Sequence, residues 1–428
     1  MMTRTIDHSV ESYEEHHGSA TPHARRVVEQ VAESIGDLAE AKTLPPDAYT
    51  SEDFYRFELD AVFRRSWLYL CHVSEVPNRG DRLPVTVADE PLIVTHDLDD
   101  RIHVVSAVCQ HRGYVITNED LGGDNGPANS VADAEEEASS SRFLRCPYHY
   151  WTYGLDGRLL GAPSMSPAHD LEELKATICL PTLRVEVWHG MVFANFDEDA
   201  PALVPTLDKA EALVAPYGVE DLVVIDSRDF TDLPFNWKNM QENALEEYHT
   251  TYVHKGWHEN APAHLVHHPE YDRGDGSVQR YVGLLQRAGT EVPGFPVLPV
   301  IEGMPEELYH RLLFVAVPPL HFAAIEGTSI KMFRITPQSA GRTTLTISWM
   351  FPRATVEELG VEALMEGQLE LIEVIDKPDL KSNAGMFRGL SSKFAPRGPY
   401  SPYEATLPQF NEWLHERYVS YLDGVDGA

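Results

Sequence analysis

Two short stretches, CQHRG at 109–113 and CPYHY at 146–150, each set one cysteine close to one histidine, with 34 residues separating His111 from Cys146. Two pairs of soft ligands in one region can hold a metal, provided the fold brings two loops face to face. Zinc ribbons and fingers group their ligands as Cys-x2–4-Cys and His-x3–5-His pairs. Here each loop supplies one cysteine and one histidine, so the pairing is mixed.

Mixed pairing suits a Rieske [2Fe–2S] cluster, in which one iron takes two cysteines and the other two histidines. A structural zinc site is the competing reading. The remaining cysteines, Cys71 in LYLCHV and Cys179 in TICLP, sit in apolar company and read as core residues. Four cysteines in a chain of 428 residues do not make a disulfide framework.

A chain of this length is expected to form two or three domains. With 34 basic and 67 acidic residues it carries a formal charge of −33. That field disfavours nucleic acid and anionic lipid as partners and would attract a basic protein. No apolar run is long enough to span a membrane, and MMTRTIDHSVESYEEHHGS lacks the apolar core of a secretion signal. The cytoplasm is the expected location.

An N-terminal helical arm is expected over 1–50. Short strand-like runs such as RLPVTVA, PLIVTHD and IHVVSAV follow, punctuated by Gly, Asp and Pro. They predict a small antiparallel β domain over 51–200. Within it, LGGDNGPANSVADAEEEASSS at 121–141 reads as an acidic surface insertion. Residues 201–428 contain long strand-like runs between 311 and 352 and two helical stretches after them. That order predicts an α+β domain with a helix across a curved antiparallel sheet.

The second domain holds NMQENALEEYHTTYVH at 239–254. Iron that activates dioxygen commonly takes two histidines and one carboxylate on one face. His249 and His254 are five apart, about 140° around an ideal helix, so a widened π turn is expected there. His254 and His258 form a rival pair at helical spacing, although Gly256 opposes a helix between them. His264, His267 and His268 are close in sequence as well.

CQHRG and CPYHYWTYGLDGRL resemble the two Rieske loops of ring-hydroxylating oxygenases, and FNWKNMQENALEEYHTTYVH resembles the Asn-Trp-Lys…Glu-Asn…Glu-x-Tyr-His-x4-His segment of their α subunits. The resemblance runs from about residue 50 to 420. It departs from the family at Tyr150, where glycine is usual, in the longer gap between the loops, at Pro378 for the usual Glu, and at Phe387 for the usual Gln. It implies a Rieske domain followed by a helix-grip, START-like catalytic domain. It also implies cluster ligands Cys109, His111, Cys146 and His149, and iron ligands His249 and His254. Asp376 and Asp379 compete for the third place; alignment on Gly389-Leu390 selects Asp379. Glu246, with Glu247 as the fallback, would link His249 to His149 of the partner subunit, and this implies a homotrimer.

The implied activity is that of a terminal oxygenase. It would take electrons from an NAD(P)H-dependent reductase, directly or through a ferredoxin, and insert oxygen from O2 into a small organic molecule. Leu312, Phe314, Val315, Phe322 and Ile325 suggest an apolar cavity and an aromatic or alicyclic substrate. The alternative is a quaternary ammonium substrate of the choline or betaine type, caged by Trp257, Tyr309, Phe322 and Trp349. An electron carrier without oxygenase activity is the reading from a different class.

Overall fold

The structure, a computed structural model, describes residues 20–117, 142–254, 256, 259–290 and 297–427. The insertion at 121–141, Trp257 and His258 lie outside the described residues. By its internal contacts the chain forms two units. One contains Leu70–Val185 and Val192–Glu198; the other contains Ser19–Tyr69, Glu186–Met191 and Asp199–Ala428.

The ligand loops of the first unit are carried by two of its small antiparallel sheets. Strands β1 (Arg82–Val87), β2 (Glu90–His96) and β3 (Ile102–Ser106) pair in the order β1-β2-β3. Strands β4 (Phe143–Arg145), β5 (Thr152–Gly154) and β6 (Leu159–Gly161) pair in the order β4-β5-β6. Ile93, Val105, Leu144, Tyr153 and Leu180 are buried in one apolar cluster together with Cys109 and Cys146. The cysteine-bearing loops thus leave directly from the packed core.

The second unit is centred on a seven-stranded antiparallel sheet. Its strands are β7 (Leu222–Leu233), β8 (Val266–His267), β9 (Val278–Gly283), β10 (Arg311–Val317), β11 (His321–Ile325), β12 (Ile330–Ser339) and β13 (Arg342–Pro352). Their order is β7-β13-β12-β11-β10-β9-β8. Seven helices matter to the site or its support: α1 (Pro22–Val31), α2 (Glu52–Ala61), α3 (Trp237–Leu245), α4 (Thr250–Val253), α5 (Val361–Leu371), α6 (Lys377–Leu390) and α7 (Thr406–Gly427).

Helix α3 packs across β9 to β12 and against α6 and α7. It begins at Asn236, whose side chain accepts from the Lys238 N–H while Asn239 Oδ1 accepts from the Asn236 N–H at 3.0 Å. These two bonds satisfy donors that a helix start otherwise leaves open. Helix α3 is buried on polar as well as apolar positions. Lys238 Nζ lies 2.8 Å from Glu58 Oε2 with both side chains fully buried. Tyr418 Oη–H and Trp237 Nε1–H donate to the same carboxylate, at 2.6 and 3.1 Å. An ion pair taken this far out of water holds only because its remaining lone pairs are filled.

A π turn, Ile372–Asp376, joins α5 to α6. Pro378 follows immediately and has no N–H for the carbonyl four residues back, so a regular turn would lose a bond and meet a clash. The wider turn accommodates it.

Candidate metal centres and the cavity beside one of them

In the first unit the two ligand loops share one hydrogen-bond pattern. The Gly113 N–H donates to the Cys109 carbonyl at 2.9 Å and the Cys109 N–H to the Tyr114 carbonyl at 2.8 Å. In the second loop the Tyr150 N–H donates to the Cys146 carbonyl at 3.0 Å and the Cys146 N–H to the Trp151 carbonyl at 2.9 Å. Gly113 and Tyr150 occupy equivalent places, and both have positive φ, +74° and +61°. Tyr150 therefore stands in a conformation that glycine adopts without steric cost.

The four side chains sort by type. The His111 and His149 rings are 4.6 Å apart, centre to centre. Burial raises the Cys146 thiol, and the neighbouring Cys109 sulfur raises it further. Among the described residues, no three of Cys109, His111, Cys146 and His149 bring their donor atoms within 4.8 Å of one another. A single zinc ion needs such convergence; paired sulfurs beside paired imidazoles fit a two-iron cluster. Burial, and then the charges of His149 and Arg112, lower the His111 imidazole, which favours the neutral form that binds metal. Trp151 stacks on His111 at 4.7 Å. The Tyr153 hydroxyl lies 3.3 Å from Cys109 Sγ and accepts from the Gln110 N–H at 3.0 Å. Sequence reasoning passed over Trp151 and Tyr153, although both stand in the quoted WTYG run.

In the second unit His249, His254 and Asp379 converge. Asp379 Oδ1 lies 3.4 Å from His249 Nε2 and 3.1 Å from His254 Nε2, and the two Nε2 atoms are 3.2 Å apart. Among the described residues this is the one set of three such groups with donor atoms within 4.8 Å of each other. Asn243 Nδ2 is 3.4 Å from both His249 Nε2 and Asp379 Oδ1.

The expected π turn between the histidines is not found. Helix α3 stops at Leu245, Glu246 is extended (φ −124°, ψ 158°), and the short helix α4 lies between the two histidines. Breaking the helix frees both imidazoles from the helical phase. Glu246 holds the break together. Its carboxylate accepts from the Tyr248 N–H, from the His249 N–H at 3.1 Å and from His249 Nδ1. That last bond fixes the ring and turns Nε2 toward Asp379. Burial pulls the His249 imidazole down, but Asp379 and Glu246 outweigh it and raise it to about 10 in the metal-free chain.

The π turn instead lies just before the third carboxylate. Asp379 faces the histidines, whereas Asp376, three residues earlier, has Oδ2 3.6 Å from Lys331 Nζ. Glu247 points elsewhere, paired with Arg280. His267 stacks on Tyr281 and His268 bonds Thr406 Oγ1 at 2.7 Å; neither joins the triad.

A cavity of about 110 Å³ opens beside the triad. Its wall follows strand alternation: Leu312 and Phe314 from β10, Phe322 and Ala324 from β11, Lys331 and Phe333 from β12. Val315 and Ile325 have the opposite parity and do not line it, contrary to expectation; they are buried on the other face. Tyr309 and Trp349 do not reach it either. Trp349 is buried, and Tyr309 lies under Arg287. Of the expected cage, Trp257 lies outside the described residues and Phe322 lines the cavity, stacked on Phe333 at 4.3 Å. Glu326, Lys331 and Arg280 also line the cavity and went unremarked in sequence, although Glu326 continues the Phe322–Ala324 alternation.

Residues 66–183 match the Rieske [2Fe-2S] domain and residues 219–420 the catalytic domain of the ring hydroxylating alpha subunit. The chain is 27% identical over 417 residues to the glycine betaine monooxygenase oxygenase subunit of Chromohalobacter salexigens, covering 89% of this chain and 87% of that one. It is 32% identical over 220 residues to the carnitine monooxygenase oxygenase subunit of Escherichia coli K12, covering 51% and 54%. Among solved structures, naphthalene 1,2-dioxygenase from a Rhodococcus species superposes with a TM-score of 0.74 at 18% identity, covering 94% of this chain and 99% of that one. A quaternary ammonium Rieske monooxygenase with bound L-carnitine superposes at 0.67 and 20% identity, covering 91% and 98%. No helix among the described residues is long and apolar enough to cross a membrane. With a Rieske [2Fe–2S] domain, an iron-binding catalytic domain and the helix-on-sheet fold that joins them to this family, the chain belongs to the Rieske non-haem iron oxygenases, which are oxidoreductases.

Proposed function

We propose that this chain is the terminal oxygenase of a Rieske system and that it hydroxylates a quaternary ammonium compound. The observation that carries the reading is the charge of the cavity. An apolar aromatic substrate, the first expectation from sequence, calls for an apolar lining. Here, apart from Asp379, which faces the iron site, Phe322 and Phe333 stand beside three carboxylates, Glu247, Glu326 and Asp376, and only two cations, Arg280 and Lys331. Aromatic faces and excess negative charge favour an organic cation. The similarity to betaine and carnitine oxygenase subunits supports the same alternative.

In this reading Cys109, His111, Cys146 and His149 hold the cluster, and His249, His254 and Asp379 hold the iron. When bound, the cluster supplies single electrons and the iron activates dioxygen. The chain's own residues do the rest. Glu246 keeps His249 in one tautomer, Asn243 lies against both His249 and Asp379, and the phenylalanines keep water from the reacting end. Electrons come from an NAD(P)H-dependent reductase, directly or through a ferredoxin. In a homotrimer, Glu246 joins His249 to His149 of the partner subunit.

The test is turnover by iron-loaded protein with hydrogen peroxide as the oxidant. Trimethylammonium compounds should yield hydroxylated or dealkylated products. Product from naphthalene or benzoate, with none from any quaternary ammonium compound, would overturn the reading.

A further inference from the structure

The cavity's charges are not interchangeable, and their pairing narrows the substrate. Arg280 is spent: its guanidinium is paired with Glu247, donates through Nε to the Ala244 carbonyl at 2.9 Å, and lies 3.9 Å over the Phe314 ring. Lys331 faces Asp376 at 3.6 Å. Beside the triad, Asp379 and Glu246 together balance the two positive charges of a ferrous ion. Lys331 also acts on Glu326, whose carboxyl it lowers, so Asp376 and Glu326 share one cation and the lining keeps one carboxylate in excess.

Glu326 is held in place. It opens the four-residue loop 326–329 between Ile325 and Ile330, which pair across β11 and β12. Ser329 Oγ–H donates to Glu326 Oε1 at 3.1 Å, and the Glu326 N–H donates to the Ser329 carbonyl at 3.2 Å. The next residue, Gly327, has no room for a side chain: a Cβ there would stand 2.7 Å from Ala288 Cβ and 2.8 Å from Met304 Cε. The Ile301 N–H also fixes the Gly327 carbonyl at 2.8 Å. A carboxylate on so constrained a loop cannot swing out to water. Burial raises its carboxyl accordingly, a cost that a bound cation would offset.

We propose that Glu326 selects a substrate that is a net cation, a quaternary ammonium compound without a carboxylate, such as a choline-type alcohol. This rests on the quaternary ammonium reading above and narrows it. A zwitterion such as glycine betaine leaves the cavity's excess negative charge uncompensated overall. Its carboxylate also meets no cation that is not already facing an acid of the chain. Choline brings one positive charge to match the one carboxylate in excess. Glu326 touches the substrate's head group and sets specificity; it takes no part in the bond-making.

The test is equilibrium binding to the metal-loaded protein by calorimetry, with three probes of similar size: choline, glycine betaine and the uncharged isostere 3,3-dimethylbutan-1-ol. Wild-type protein should bind choline at least about tenfold more tightly than betaine. Glu326→Gln should weaken choline about 10–100-fold and leave the uncharged isostere within about threefold, closing the gap between them. Iron content and the cluster spectrum of the variant check that it has folded. Betaine binding more tightly than choline in the wild type overturns the proposal, whatever the variant does. So does an equal loss of all three probes in Glu326→Gln. If neither choline nor betaine binds better than the uncharged isostere while naphthalene does, the quaternary ammonium reading itself falls, and the proposal with it.

Discussion

The two candidate metal centres are built on opposite plans. In the first unit, four candidate ligands come from two loops of near-identical hydrogen bonding, each closed within six residues. In the second, two histidines flank a helix break and the carboxylate arrives on another helix, from residue 379. The loop pair encodes its geometry locally, so spacing alone carries most of the information. The triad depends on tertiary packing: α3 must lie against α6, and the turn before Asp379 must have the right width. A local site tolerates change elsewhere in the chain. An assembled site is exposed to every element that positions it.

The strongest way to break this contrast is to remove one ligand from each plan. Asp379→Asn and Cys146→Ser should both abolish coupled turnover, by more than about 10³-fold given losses typical of essential groups. Product formed by peroxide should separate them: Cys146→Ser should retain it in part, and Asp379→Asn should not. Equal peroxide activity in the two variants would show that the centres are not separate in function.

Glu246→Gln comes next. It removes no ligand from either centre, so both should load. Cluster oxidation coupled to product should slow by more than the ~10–100-fold usual for a residue behind a ligand, as followed in single-turnover kinetics. A wild-type rate with full product yield would leave Glu246 as a helix-break residue only, and would remove the main support for the proposed trimer.

Metal loading should also depend on pH in a defined direction. In the metal-free chain the His249 imidazole is raised to about 10, so at neutral pH the metal must displace a proton. Affinity for a divalent ion should rise with pH, by about tenfold per unit for one proton released, and level off above pH 10. His111 in the cluster loops should contribute no such rise, since it is lowered rather than raised. Titrating Co(II) into apo protein at several pH values measures the slope; a flat profile would contradict the Glu246–His249–Asp379 arrangement.

The smallest effect concerns Tyr150. Tyr150→Gly relieves a left-handed conformation at φ +61° but adds freedom to the unfolded chain. The net stabilisation should be about 0.5–1 kcal/mol, read as a higher midpoint for loss of the cluster's visible absorbance on heating. An unchanged or lower midpoint would mean that the contact with Arg145, 5.6 Å over the ring, matters more than the backbone.

What could be read in the sequence follows the same division. The two loops carrying Cys109, His111, Cys146 and His149 were legible as a pair because residue type and spacing are local. Four of the seven strands of the second sheet, β10 to β13, were legible from their apolar runs between 311 and 352. The conformation between His249 and His254 was not: a five-residue spacing fits a π turn and a broken helix equally well, and the choice rests on Glu246 accepting backbone donors. The π turn at Ile372–Asp376 had a sequence cue in Pro378, but its helical surroundings concealed it. The cavity wall was half legible. Strand parity separates Phe314 from Val315, yet nothing local says which face meets the iron site, and the charge pairing of Arg280, Glu247, Lys331 and Asp376 exists only in three dimensions.

The central claim is that two independent ligand sets serve two metal centres, and a metal count across variants tests it most directly. Wild-type protein should hold about three irons and about two acid-labile sulfides per chain, with a Rieske-type paramagnetic signal on reduction. Asp379→Asn and His254→Ala should each fall to about two irons with sulfide and signal unchanged, and Cys146→Ser should keep about one iron and lose the sulfide. Three irons remaining in Asp379→Asn, or sulfide lost together with the mononuclear iron, would contradict the account.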